Sequence, residues 1–164
     1  NICRETGIPF AFPGSPTQWN ALTDITDARL LARHLEWAAT SEAGRNQDFN
    51  VVNGDVFRWS QIFPKVAESF GIACVEPQTF SLTEVMQDKA EVWERMVRKY
   101  GLVQHSLKDL ATWPFGDFIF NVENDAFFDV NKARRFGFHE MHLDTGEELV
   151  KLMNRLKARK IIPV

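Results

Sequence analysis

Apolar residues recur along the chain at the three- and four-residue spacing that places them on one face of an α-helix. Each such stripe is expected to pack against a core, so the pattern predicts at least four amphipathic helices. The predicted stripes are Leu31, Leu35 and Ala38; Ile62, Val66 and Phe70; Val92, Met96 and Tyr100; and Leu149, Met153 and Leu156.

Glycines and side-chain oxygens predict where helices end and begin. Gly7 and Gly101 are expected to end helices, because glycine readily adopts the left-handed conformation of a helix C-terminus. Asp24 and Thr26 each carry an oxygen able to accept a hydrogen bond from the first turn of the helix that contains Leu31. From the residues alone, the choice between these two caps stays open.

Short apolar runs bounded by turn residues predict three short strands, at residues 9–13, 49–52 and 72–75. The second run leads through the turn signal Asn53-Gly54-Asp55 into a helix. The alternation predicts one α/β unit over residues 1–164, helix-rich with few strands, of α+β appearance when taken alone. Because strands this short do not make a stable sheet by themselves, we expect their partners to be missing.

Composition narrows the classes of protein. With 45% hydrophobic residues in 164, a net charge of -3 and no apolar run of the roughly 20 residues a membrane span needs, we expect a globular cytoplasmic protein without membrane contact. Cys3 and Cys74 are too few for a disulfide framework. The basic clusters at residues 132–135 and 157–160 lie on predicted helices in an acidic chain, so nucleic acid is not an expected partner.

The motifs of nucleotide chemistry are missing. None of the nine glycines stands two residues from another, so no G-x-G-x-x-G fingerprint can approach a pyrophosphate. Tyr100, the single tyrosine, is followed four residues later by Gln104, so there is no Tyr-x-x-x-Lys pair, and Tyr100 is expected in the core. We therefore expect no complete active site and no cofactor held by this chain alone.

One short segment has the residue types of a metal site. His139, Glu140, His142 and Asp144 offer two imidazoles and two carboxylates within six residues. Their spacing matches no established ligand motif, and two histidines three residues apart are more often surface residues. We therefore expect no metal.

A resemblance to a known family runs along almost the whole chain, in several segments that occur in the family's order. They are residues 8–14, 23–30, 37–39, 49–59, 92–93, 113–117, 131–138 and 160–163. Together they resemble the progesterone 5-beta-reductase and iridoid synthase family, a branch of the extended short-chain dehydrogenases often described as NAD-dependent epimerase/dehydratase-like. The resemblance covers only the C-terminal portion of the proteins in that family. The family pattern favours Thr26 as the cap of the helix that contains Leu31.

The resemblance implies the substrate-binding C-terminal portion of an oxidoreductase with a Rossmann-type fold. NADP(H) or NAD(H) would be held by an N-terminal Rossmann domain outside this chain, which is then an expected partner. The implied substrate is a small hydrophobic carbonyl or enone compound, reduced at an activated C=C or C=O bond. We also expect that strand edges and apolar surface left without the missing domain favour homo-oligomers.

The resemblance also implies substrate-binding residues. Phe115 falls on the family's aromatic substrate-contacting position, Trp113 lies two residues before it, and Thr26 borders the pocket. Core burial of Phe115 and capping by Thr26 are the competing structural explanations. Pro114 stands where plant members carry an aromatic residue, so the substrates of plant members are not carried over.

Three classes of function follow from these observations. The first is the reductase portion just described, with part of a nucleotide-sugar epimerase or dehydratase as its variant within the same fold. The second is a free-standing, non-catalytic module that binds small molecules. The third is a metal-dependent hydrolase, which requires a metal at His139 and His142.

Overall fold

The computed structural model describes residues 1–164, and most regular structure in it is helical. None of the helices has the length and apolar character needed to cross a membrane. The helices are α1 (Ile2–Thr6), α2 (Pro16–Asn20), α3 (Ala28–Thr40), α4 (Trp59–Glu68), α5 (Leu82–Met86), α6 (Ala90–Tyr100), α7 (Leu107–Leu110), α8 (Trp113–Ile119), α9 (Asn131–Arg135) and α10 (Thr145–Ala158); the strands are β1 (Phe10–Ala11) and β2 (Cys74–Val75).

The two strands form a parallel pair, with Phe10 opposite Cys74 and Ala11 opposite Val75. Both lie inside segments that the sequence predicts to be extended. The predicted helix ends are also confirmed, since Gly7 and Gly101 follow α1 and α6 in the left-handed conformation. The predicted fold class, helix-rich with few short strands, is therefore confirmed.

The strand predicted at residues 49–52 does not form. The segment is extended, but it has no ladder partner, and none of its four backbone amides donates a hydrogen bond within the chain. A β-strand requires a neighbouring strand to accept its amides, and this chain supplies none at that place.

The apolar stripe predicted for α3 is wrong by about a quarter of a helical turn. Leu30 and His34 are buried, whereas Leu31 is 39% exposed and Leu35 is 60% exposed. Helix α3 carries apolar residues on two adjacent faces, and periodicity alone does not tell which face the rest of the chain covers.

The predicted cap of α3 is also wrong. Asp27, not Thr26 or Asp24, precedes the helix, and its carboxylate accepts hydrogen bonds from the amides of Arg29 and Leu30. The Arg29 guanidinium also bonds this carboxylate and lowers its pKa to about 2. Thr26 instead donates its hydroxyl to the carbonyl of Val51, at 2.6 Å.

The apolar stripe predicted for α6 is right at Met96 and wrong at Tyr100. Trp93, Met96 and Val97 are buried, while Tyr100 lies at the surface and donates its hydroxyl to Glu5. Tyr100 was expected in the core because the stripe Val92, Met96, Tyr100 has helical spacing. The buried face of α6 also includes Trp93 and Val97, one residue after Val92 and Met96, on the side that packs against α7.

Three apolar clusters make the core. One packs α3 against the extended segment and α9, one joins β1, α2, α4 and α8 through aromatic rings, and one joins α6 to α7. Their fully or nearly buried members are Leu30, Val52, Val130, Ala133, Phe138 and Met141; Phe12, Phe57, Trp59 and Ile62; and Trp93, Met96, Val97 and Leu107.

A network of hydrogen bonds between polar side chains connects the starts of α3 and α10. The Asn53 side chain accepts from the amide of Asp27 and donates to the hydroxyl of Thr145, at 2.7 and 2.9 Å. Thr145 in turn donates its hydroxyl and its amide to the Asp55 carboxylate. Gly54 has a φ of 105°, and an added Cβ there would overlap the carbonyl of Met141. The motif Asn53-Gly54-Asp55 thus has a structural role.

Candidate functional site

The aromatic segment near residue 115 forms a short helix. Helix α8 begins at Trp113, and Pro114 occupies its second position, where a missing amide hydrogen costs nothing. Thr112 precedes the helix without capping it through its side chain. The helix therefore starts because proline presets the backbone, and its position in the molecule is set by contacts further along.

Asp117 holds α8 against the start of α5. Its carboxylate accepts hydrogen bonds from the hydroxyls of Ser81 and Thr83 and from the amides of Leu82 and Thr83. Partial burial acts to raise the pKa of Asp117, but these hydrogen bonds, the Thr83 hydroxyl first, outweigh it and lower that pKa. Gly116 makes this packing close, since a Cβ there would crowd the Leu82 side chain.

The two sides of α8 have different environments. Trp113 is partly buried against the cluster around Trp93, and Ile119 packs into the aromatic cluster around Phe12. Phe115 and Phe118 point away from both and are 61% and 66% exposed. Being three residues apart, they lie on one face of the helix. Core burial therefore does not explain Phe115.

A second exposed aromatic pair follows in the loop after α8. Phe127 and Phe128 are both more than half exposed. The Asp24 carboxylate fixes this loop by accepting a hydrogen bond from the amide of Phe128, at 2.7 Å. Partial burial raises the pKa of Asp24, although that hydrogen bond opposes the effect. The loop is thus tied to the segment that precedes α3.

Thr26 lies elsewhere. It borders a cleft of about 530 Å³ between the start of α3 and the face of α10, and a smaller cleft beside residues 49–52. Neither Trp113 nor Phe115 lines these clefts. The structure therefore brings Trp113 and Phe115 together on α8 but does not bring Thr26 to them.

Sequence reasoning missed Phe118, Asp117 and the loop pair Phe127 and Phe128. Phe118 stands three residues after Phe115, so helical spacing would have found it once the segment was assigned as a helix. The role of Asp117 depends on a contact with residues 81–83, and no local pattern signals it.

The histidines of the possible metal segment lie at the surface. His142 places its Nδ1 3.0 Å from the carbonyl of His139, so this ring nitrogen is engaged by the backbone. No group of three or more histidine, cysteine, aspartate or glutamate side chains lies close enough together anywhere in the chain to hold an ion.

The glycines of this chain are dispersed and make no glycine-rich turn for a pyrophosphate. Five of them fit close to other parts of the chain: Gly14 to Phe120, Gly44 to Ala38, Gly54 to Met141, Gly116 to Leu82 and Gly146 to Lys65. These five positions therefore serve packing within the chain.

A known protein family and several known proteins match almost the whole chain. Residues 3–163 match the family described as PRISE-like Rossmann-fold domain. An (S)-8-oxocitronellyl enol synthase of Nepeta cataria is 38% identical over 168 residues, and one of Catharanthus roseus is 36% identical over 166 residues. A 3-oxo-Delta(4,5)-steroid 5-beta-reductase of Arabidopsis thaliana is 33% identical over 165 residues. In each comparison the match covers 99% of this chain and 42% of the relative.

The family match assigns the chain to a broad class, the proteins with a Rossmann-like domain. Within that class, the chain belongs to the PRISE-like Rossmann-fold family. The resemblance inferred from the sequence to progesterone 5-beta-reductases and iridoid synthases is confirmed. The chain spans about two fifths of the length of these curated relatives.

Proposed function

We propose that this chain is the substrate-binding portion of an NADP(H)-dependent reductase that acts on an activated C=C or C=O bond of a small hydrophobic molecule. The observation that carries the proposal is the pair Phe115 and Phe118, held on α8 with most of their ring surface exposed. Large exposed aromatic side chains on an ordered element are typical of binding surfaces.

The anchoring of α8 supports this role. Asp117 holds the helix to α5, and Ile119 and Phe120 hold it to the aromatic cluster, so its outer face is rigid. A rigid aromatic surface loses little conformational entropy when an apolar ligand packs on it. Flat rings also exclude water from the bound molecule, which favours hydride transfer over side reactions.

The names of the relatives support the substrate class. One relative is named for a steroid with a 3-oxo group and a neighbouring double bond, and others for an oxocitronellyl enol. Both names describe compact, largely apolar molecules with oxygen functions. Trp113 contributes to the proposed site by supporting α8 from the inner side, and Phe115 and Phe118 contact the substrate.

The nicotinamide cofactor is assigned to the part of the parent enzyme outside this chain. NADP(H) or NAD(H) supplies the hydride when it is bound there. The residues of this chain bind and orient the substrate and keep water away. This division agrees with the absence of a glycine fingerprint and of a Tyr-x-x-x-Lys pair in these 164 residues.

The test uses the full-length parent enzyme with NADPH and a panel of enones that includes a 3-oxo-Δ4 steroid. We expect enone-dependent consumption of NADPH, followed by absorbance. Phe115→Ala should lower kcat/KM about tenfold to a hundredfold, because losing a buried aromatic contact costs about 1.5–3 kcal/mol.

Val103→Ala is the matched control, since Val103 is also exposed but lies in the turn after α6. Its kcat/KM should equal that of the unsubstituted enzyme. Equal activity of Phe115→Ala and Val103→Ala would contradict the assigned binding surface, and no NADPH consumption with any enone would contradict the reductase.

A further inference from the structure

Asn53 is the one asparagine of the chain that precedes a glycine. Asparagine is a thermolabile residue, because the backbone nitrogen of the next residue can attack its side-chain amide. A following glycine hinders this attack least, since it has no Cβ. The pair Asn53-Gly54 is therefore the place in the chain where loss of an amide as ammonia is chemically easiest.

This reaction replaces the Asn53 amide by an acid and consumes only water. The Gly54 nitrogen loses its proton and bonds to Cγ of Asn53, the bond from Cγ to Nδ2 breaks, and ammonia leaves. Water then opens the five-membered imide ring. Attack of water at the side-chain carbonyl gives aspartate, and attack at the backbone carbonyl gives isoaspartate, in which the backbone runs through the side chain.

The folded chain holds all four polar groups of Asn53. Its backbone amide donates to the carbonyl of Ile25, and its backbone carbonyl accepts from the amide of Leu143, both at 2.9 Å. Its Oδ1 accepts from the amide of Asp27 at 2.7 Å, and its Nδ2 donates to the hydroxyl of Thr145 at 2.9 Å. Asn53 is also only 1% exposed.

These hydrogen bonds oppose the attack on the side chain. The Gly54 nitrogen lies in the same rigid peptide plane as the Asn53 carbonyl, so the bond from Leu143 also restrains that nitrogen. Cγ of Asn53 is restrained through both of its polar substituents. The two atoms must move to bonding distance, and water must reach the imide. Reaction at Asn53 therefore requires that the structure opens at this place.

The acid does not fit the place that the amide occupies. The Thr145 hydroxyl donates its hydrogen to the Asp55 carboxylate at 2.7 Å, and its oxygen accepts from Nδ2 of Asn53. A carboxylate at position 53 has no hydrogen to donate, so it would set a bare oxygen against the Thr145 oxygen and a further negative charge beside Asp55. Burial first, and the nearby charge of Asp55 as well, raise the pKa of Asp24. The site therefore already holds carboxylates that repel a new one, and an uncompensated buried charge is strongly destabilising.

We propose that Asn53 is a deamidation site that the native fold protects, and that its reaction in opened chains makes unfolding irreversible. Each chain that reacts while open is lost from the folding equilibrium, because its product does not regain the native hydrogen bonds. The bonds around Asn53 thus serve both the stability of the fold and the chemical lifetime of the protein. The inference does not depend on the proposed function.

Peptide-resolved mass spectrometry of the full-length protein tests the protection. The protein is incubated at pH 8 in buffer and in guanidinium chloride, and conversion of Asn53 to aspartate or isoaspartate is followed over days. We expect conversion in buffer to be at least about a hundredfold slower, because only the opened state reacts. Equal rates in the two solutions would overturn the proposal.

Gly54→Ala is the control for the chemistry, and it is compared in guanidinium chloride, where no folded protein is needed. Its Cβ hinders the attack of the backbone nitrogen, so Asn53 should convert at least about tenfold more slowly than in the unsubstituted chain. An unchanged rate would show that the amide is lost by another route and would also overturn the proposal.

A pair of substitutions tests whether the product fits the fold. Asn53→Asp introduces the acid directly and should lower the melting temperature by about 5–15 °C or prevent folding. Asn154→Asp makes the same chemical change on the exposed side of α10 and should shift the melting temperature by less than about 2 °C. Equal melting of the two variants would overturn the proposal, because a deamidated chain could then refold.

None of these readouts depends on catalysis. A full-length protein that protects Asn53 as expected but reduces no enone would contradict the proposed function and leave this inference standing.

Discussion

Two phenylalanines only two residues apart, Phe118 and Phe120, have opposite environments. Phe120 makes edge-to-face contacts with Phe12, Trp59 and Phe63 at centroid distances of 5.0–5.8 Å. Phe118 is exposed over two thirds of its surface. The inner rings stabilise the fold through packing, whereas the outer rings are ordered by the fold without stabilising it. Surface that is ordered but unused within a chain is surface available for a ligand or another domain.

The largest expected effect separates these two sets of rings. Phe12→Ala should lower the free energy of unfolding by about 3–5 kcal/mol, because Phe12 is completely buried among four aromatic rings and truncation leaves a cavity. Phe118→Ala should change it by less than about 0.5 kcal/mol. Urea denaturation of the purified chain measures both. Equal losses would mean that Phe118 packs in the core, contrary to this comparison.

Gly54 and Gly137 allow a second comparison, between a glycine with a close neighbour and a glycine with open space beside it. Both have φ near 100°, but only at Gly54 would a Cβ overlap another part of the chain, the carbonyl of Met141. Both alanine substitutions should cost about 1–3 kcal/mol through the unfavourable φ. Gly54→Ala should cost about 1–3 kcal/mol more through overpacking. If denaturation gives equal values for the two, the contact of Gly54 with Met141 is not tight.

The hydrogen-bond network of Asn53, Asp55 and Thr145 allows a third test. Thr145→Val should cost about 1–3 kcal/mol, because Asn53 and Asp55 then lose a buried partner. Thr40→Val is the control, since the Thr40 hydroxyl bonds only a carbonyl of its own helix at the surface. It should cost less than about 0.5 kcal/mol. Differential scanning calorimetry of the two variants decides the comparison.

The smallest expected effect concerns pH. Burial among the rings of Trp37, Phe49 and Phe138 lowers the pKa of His34 below its ordinary 6.5. The unfolded chain then binds a proton that the folded chain does not, so stability should fall as pH drops through about 6.5 and level off below the lowered pKa.

His34→Phe should remove this part of the pH dependence, as measured by denaturation between pH 5 and pH 8. Carboxylates such as Asp27, whose pKa lies near 2, should not contribute in that range, because the stability they add is lost only below about pH 4. A slope that persists in His34→Phe would show that another group titrates.

The sequence predicted where helices form better than it predicted which face of each helix is buried. Helix ends at Gly7 and Gly101 and the extended segments around β1 and β2 are local features, and each was predicted correctly. The buried face of α3 was placed wrongly, and that of α6 was right at Met96 but wrong at Tyr100. Both helices carry apolar residues beyond the stripe that this chain buries, so periodicity left the choice of face to tertiary contacts.

The candidate site shows the same limit. The resemblance of residues 113–117 to a known family pointed to Trp113 and Phe115, and this much needed no structure. Their separation into a supporting ring and an exposed ring depends on Asp117 reaching residues 81–83. Thr26 was grouped with them from the resemblance, yet it lies beside α3 and α10.

By itself, the sequence determined the family, the helix-rich composition of the chain and the local conformation of its turns, because these depend on residues close together along the backbone. Only the tertiary structure decided that Asp27 caps α3, that Phe115 and Phe118 are exposed, and that the backbone amides of residues 49–52 donate no hydrogen bond. Those outcomes depend on which distant segment packs against each surface. Where no segment packs, an apolar helix face stays exposed or an extended segment stays without a neighbouring strand.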